Sequence, residues 1–192
     1  KEVSFGNDGS ISKDRLEDCI NSDLANNFGN LCQRVTAFAE KNCSSKIPSL
    51  KEFNEDDLIM LNKFTDNLSN LRKQIDNLNI NFYVNFIINS LFEANKYFND
   101  QEPWKKKDDK DRLNTIVYTA LEMIRKISIM LYPIIPDSIN KALKIFNLKT
   151  NDIKFETIGI HNTLKSGDDI NKVGILFNKI EKKNDWFALS FR

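Results

Sequence analysis

Histidine is nearly missing from this chain, His161 being the only one among 192 residues. One imidazole cannot assemble a zinc site or a Ser-His-Asp arrangement without distant help, so His161 is expected at the surface or in a loop. Cysteine is scarce too: Cys19, Cys32 and Cys43 are odd in number and show no C-x-x-C spacing. That excludes a metal knuckle and a disulfide framework, and it predicts reduced, half-buried thiols. No run approaches the ~18 apolar residues of a membrane span, and the N-terminus shows no basic-then-apolar signal pattern. The net charge of +1 leaves no global basic field, so any nucleic-acid partner must be held by a local patch. A glycine-rich phosphate loop, a nucleophile-plus-base pair and a metal-ligand spacing are all absent from the motif content. The chain thus predicts no catalytic residue and no metal ligand. It begins at Lys1 rather than Met, and is expected to be a piece of a longer protein.

What is present is helical periodicity. Ser12 reads as an N-cap for Leu16, Cys19 and Ile20, and a second helix is predicted from Ser22 to about Lys41, capped by Asn21 or Ser22. Its apolar stripe is Leu24, Phe28, Leu31, Val35 and Phe38. Three more long stripes follow, over Leu58–Leu78, Ile80–Phe98 and Leu113–Leu131, with Asp56 and Asp57 suited to the positive start of the first. Pro133 and Pro136 end the last of them, and Pro136 opens a short helix reaching Phe146. Helices with one apolar face joined by short loops describe an all-α antiparallel bundle. The expected division is a connection at 1–11, a helical bundle at 12–148, and an irregular or extended tail at 149–192. That tail is expected to pack back on the bundle or on a missing part of the protein.

Two features could grip a ligand. On the second helix Asn27, Asn30, Arg34 and Lys41 fall within an arc of roughly 60° at 3.6 residues per turn. Asn30 and Arg34 sit one turn apart, so an amide and a planar guanidinium can reach one small polar object together. A solvated helix face has the same spacing. The other feature is Pro103-Trp104, followed by Lys105, Lys106 and Lys107. An aromatic presented behind a stiff proline and beside a basic run suits single-stranded nucleic acid, where bases stack and ammonium groups meet phosphate. An aromatic lid over the bundle end reads equally well.

The residues also carry a resemblance. Asn21 to Asn26 leading into Gly29-Asn30-Leu31-Cys32-Gln33-Arg34 resembles the first long helix of the anticodon-binding domain of methionyl-tRNA synthetases. Ala94-Asn95-Lys96-Tyr97-Phe98 with Pro103-Trp104, the Asp111-Arg112-Leu113 and Leu131-to-Pro136 stretches, and Gly174-to-Glu181 resemble later elements in the same order. The resemblance implies that Asn30, Arg34 and Trp104 read a CAU anticodon, supported by Asn27, Lys41, Pro103, Lys105, Lys106 and Lys107. It implies as partners a methionine-acceptor tRNA and the catalytic domain of the same chain, in a cytoplasmic ligase that joins methionine to tRNA. ATP with magnesium would belong to that catalytic domain, whose HIGH-type and KMSKS-type signatures do not occur here; this fragment needs no cofactor. Asn178 and Lys179 depart from the family's usual Pro and Arg. The alternatives are the equivalent domain of a related class I synthetase for isoleucine, valine, leucine or cysteine, and a helical protein-interaction module.

Overall fold

Ser12 starts the first helix as its position predicts, its hydroxyl accepting from the Arg15 amide at 3.2 Å. A computed structural model describes Val3 and residues 6–181; residues 1, 2, 4, 5 and 182–192, and the expectations falling on them, lie outside the described residues. Helix α1 (Lys13–Cys19) does not stop where a second N-cap was expected. It runs through a π-helical stretch, Ile20–Gly29, directly into α2 (Asn30–Asn42). Asn21 and Ser22 therefore cap nothing. Wider i→i+5 turns are rare and cluster at functional sites, and this one lies immediately before Asn30.

The remaining helices are α3 (Glu55–Asp76), α4 (Ile80–Asp100), α5 (Lys110–Leu131) and α6 (Pro136–Leu143), the last extended by a 3₁₀ turn over Lys144–Phe146. Helix α3 opens on a capping box, Asn54 and Asp57 each bonding the other's backbone amide. Asp109 caps α5 by accepting from the Arg112 amide at 3.0 Å. The architecture is all-α, and among the described residues the β-type pairing is one isolated antiparallel bridge, Lys46 with Asp169. None of the described helices is long and apolar enough to cross a membrane.

Helix α5 departs from the one-face pattern. Every residue from Thr115 to Leu131 is buried, which places this helix at the centre of the bundle. Its charged residues Glu122, Arg125 and Lys126 are consequently buried as well, and the tail pairs with them. Glu122 accepts from the Arg125 Nε at 2.7 Å and from the amides of Thr163 and Leu164 at 2.5 and 2.8 Å. Arg125 donates to the Thr157 carbonyl at 2.9 Å, and Lys126 donates to the carbonyls of Ile158 and, at 2.6 Å, Ile160. The Tyr118 hydroxyl donates to the Leu164 carbonyl at 2.6 Å.

The described tail from 149 to 181 is thus an irregular strap with short 3₁₀ turns. It crosses α3 and α5 near 155–164, where His161 meets Asn62 at 2.8 Å. It then bonds the loop after α2 through Ile47, whose amide donates to Asp168 at 2.8 Å and whose carbonyl accepts from Gly167 at 2.8 Å. From there it returns along the first helix, Phe177 packing on Phe28 with ring centroids 6.2 Å apart. The Asn21 side chain ends the path by pairing both the amide and the carbonyl of Ile180, at 2.8 and 2.9 Å. The described part of the tail packs on the bundle itself.

Candidate nucleic-acid interface

Phe98, near the C-terminal end of α4, is the ring around which the predicted residues gather. It is buried, with Phe38 of α2 set against it edge-on at 5.9 Å. The Trp104 ring meets it at 6.3 Å and 72°, and the Arg34 guanidinium carbon lies 5.7 Å from its centroid. Arg34 also donates to the Asn99 Oδ1 at 2.5 Å. Arg34 and Trp104, 70 positions apart in sequence, therefore share one aromatic support. Trp104 remains 40% exposed, so part of the indole reaches solvent. Asn30 lies about 6 Å back along α2, exposed and without a side-chain partner among the described residues.

The loop that presents Trp104 is held in an uncommon backbone state. Glu102, immediately before Pro103, has φ 44° and ψ 57°, a left-handed conformation costly for a residue with a Cβ. Strain of this kind persists only where the surroundings over-determine it. Here they do. Beneath the loop Arg112 forks onto the buried Asp57 at 2.5 and 3.0 Å and reaches the Gln101 Oε1 at 2.5 Å. Tyr97 donates to the same carboxylate. This network binds the start of α3, the end of α4 and the start of α5, fixing the platform on which the loop turns. Burial and the Asp57 charge push the Tyr97 hydroxyl well above the usual tyrosine range, so it stays a donor.

Two predicted supporting residues are not at the surface. Asn27 is 3% exposed, and its Oδ1 accepts from the Asn95 Nδ2 at 2.6 Å. The reason is the π-helical stretch, whose wider turn carries Asn27 further round from Asn30 than 3.6-residue spacing predicts. Pro103 is buried and serves as the first residue of a 3₁₀ turn, Pro103–Lys105. It can stiffen the loop but cannot touch RNA. Lys105 is exposed and pairs with Glu102 at 2.7 Å. Lys106 and Lys107 are exposed without an ion pair among the described residues, and Lys41 is exposed two turns beyond Arg34. Phe98 and Asn99 were given no role of their own by the sequence reading: Phe98 counted as part of an apolar stripe and of the Ala94–Phe98 stretch that carries the resemblance. The signals were that stretch and its position just before Trp104.

Chemically, the surface offers an unpartnered amide, a guanidinium, a partly exposed indole and ammonium groups without an ion pair among the described residues. Among the described residues no group of His, Cys, Asp and Glu is arranged to hold a metal ion. Residues 47–190 match the family model described as the anticodon binding domain of methionyl tRNA ligase. The chain belongs to that family. The methionine–tRNA ligase of Brucella suis is 36% identical over 88% of this chain and 33% of its own length. That of Rickettsia conorii is 37% identical over 94% of this chain and 36% of its own. The apo methionyl-tRNA synthetase of Mycobacterium tuberculosis superimposes with a TM-score of 0.88 at 30% identity, covering 95% of this chain and 37% of that one. The same enzyme in complex with methionyl-adenylate gives a TM-score of 0.85 at 31% identity, covering 92% and 35%. The chain spans about a third of the length of these curated relatives. Trp104 lies inside the family-matched segment, whereas Asn30 and Arg34 precede it; Arg34 is tied to Trp104 by its contact with Phe98, and Asn30 only by lying one helical turn from Arg34.

Proposed function

We propose that this chain reads the CAU anticodon of methionine tRNA within a longer, cytoplasmic methionine–tRNA ligase. The observation that carries the reading is the convergence of Arg34 and Trp104 on Phe98, one helical turn from the unpartnered Asn30 amide. An unstacked base laid on the exposed indole would present its edge to Asn30 and Arg34, which together supply donors and an acceptor. Lys41, Lys106 and Lys107 would meet phosphate, with Lys105 joining once it leaves Glu102. A wrong base leaves a polar group unpaired, which costs on the order of 1–3 kcal/mol by comparison with base readout elsewhere. In this reading the rest of the protein supplies ligation, along with ATP and magnesium, and this chain supplies selection of the tRNA. The family assignment favours methionine over the related class I synthetases.

The test is a binding titration of transcripts differing only in the anticodon, at one stated salt concentration, with wild type and Trp104→Ala. Loss of a stacked base is expected to weaken CAU-tRNA binding by about 5- to 150-fold, equivalent to ~1–3 kcal/mol, with the helical circular dichroism unchanged. Equal affinity of the two proteins removes the stacking role. Equal affinity of wild type for all anticodons removes the reading itself.

A further inference from the structure

A second polar cleft, of about 590 Å³, lies between the end of α6 and the tail. Asn140 and Lys144 come from the α6 side, Asn147 and Lys149 from the turn that follows, and Asn171 and Lys172 from the tail more than twenty residues later. The Asn171 side chain ties these segments together, its Nδ2 donating to the Lys144 carbonyl at 2.8 Å and to the Asn147 Oδ1 at 2.6 Å. The Asn171 amide adds a bond to the Ile145 carbonyl at 2.9 Å. Three lysines from three cross-linked segments are thereby held around one depression, and no carboxylate lines it.

Three acids of the adjoining segments have partners in the fold. Asp152 accepts from the Lys149 amide at 2.8 Å, Asp169 pairs with Lys46 at 2.8 Å, and Glu40 of α2 pairs with Lys172 at 2.7 Å. Lys144 and Lys149 are exposed with no ion pair among the described residues. Lys172 keeps its Glu40 partner at the rim, so Lys144 and Lys149 are the two ammonium groups of the cleft open to an anion from outside. Glu40 is the neighbour of Lys41, so the cleft adjoins the helix that carries Asn30 and Arg34.

We propose that this cleft is a second RNA contact, taking the sugar–phosphate backbone of the same bound tRNA outside the anticodon. Lys144 and Lys149 would meet phosphates, and the Asn140 and Asn147 amides sugar or phosphate oxygens, without reading any base. This rests on the anticodon reading for its partner, but differs from it in what it predicts. A backbone contact changes the salt dependence of binding and leaves discrimination untouched.

The experiment measures tRNA affinity as a function of salt for wild type and the Lys144→Gln, Lys149→Gln, Lys172→Gln triple variant, with CAU and altered-anticodon transcripts. The triple variant is expected to bind about tenfold more weakly near 0.1 M salt, by the same factor for every transcript. The slope of log affinity against log salt should be shallower by roughly two. Should the triple variant melt early, the Lys144→Gln, Lys149→Gln pair, which keeps the Lys172–Glu40 bridge, is used instead. An unchanged slope in a folded variant overturns the proposal, even if wild type discriminates anticodons normally. Saturable competition by millimolar inorganic phosphate would also overturn it, marking a small-anion site. Loss of discrimination in wild type with the slope change intact would count against the anticodon reading alone.

Discussion

Arg34 shows how one side chain can serve both the fold and the ligand. Its hydrogen bond to Asn99 and its seat on Phe98 hold the guanidinium at the surface, yet neither contact is deeply buried on the Arg34 side. A hydrogen bond of this kind contributes about 1 kcal/mol, which in a domain of this size corresponds to roughly 2–4 °C of thermal midpoint. Arg34→Ala should therefore melt within a few degrees of wild type. Its discrimination between CAU and single-base anticodon variants should meanwhile fall by about tenfold or more, read by competition binding. A collapse of the melting transition would mark Arg34 as structural. The spacing of Asn30 and Arg34 was legible because it is a property of one helix. The burial of Asn27 was not, since a ten-residue π-helical stretch has no composition signal that separates it from ordinary helix.

At the scale of the element, α5 carries the largest surprise. Its apolar residues read correctly as core, but a one-face pattern does not foretell that Glu122, Arg125 and Lys126 are buried with them. A charged side chain looks the same in sequence whether water or a carbonyl some thirty residues away satisfies it. Burial pulls the Lys126 ammonium from 10.5 down to about 8, with Glu122 opposing the shift and Arg125 adding to it. The unfolded chain therefore binds more protons at this site between pH 8 and 10.5, so its contribution to stability rises with pH across that window and is flat below it. Cys32 and Tyr83, whose burial raises their pKa values, act in the opposite direction above about pH 9. Because those groups are common to both proteins, the comparison to make is wild type minus Lys126→Met, by denaturant unfolding from pH 7 to 11. The difference should shift in favour of wild type from pH 8 upward. A pH-independent difference would mean that Lys126 is not desolvated in the folded chain.

For the whole molecule, the question is what fastens the tail. From 157 to 164 it is held by buried charges of α5, while the stretch around Ile175, 70% exposed, meets the first helix through Leu176 and Phe177. Hydrogen exchange should divide accordingly. The amides of Thr163 and Leu164, bonded to the buried Glu122, should be protected to nearly the global stability, and those of Gly174 and Ile175 should exchange quickly. Glu122→Ala would leave Arg125 without its carboxylate in a dry site, at a cost of about 3–5 kcal/mol. Protection at 163 and 164 should then be the first to fall. Uniform protection from 155 to 180 would contradict this division.

The sequence by itself determined the helices, most of their ends and the local pairs on them, because caps, prolines and 3.6-residue spacing act over four or five positions. It also placed Asn30, Arg34 and the Pro103-Trp104 step on elements able to present them. Only the tertiary structure decided that Phe98 joins Arg34 to Trp104, that Asn27 and Pro103 turn inward, and that the tail straps the bundle through α5. Those outcomes depend on which distant groups meet in a water-poor interior. There the cost of burying a charge or an amide is set by its partner rather than by its own place in the chain.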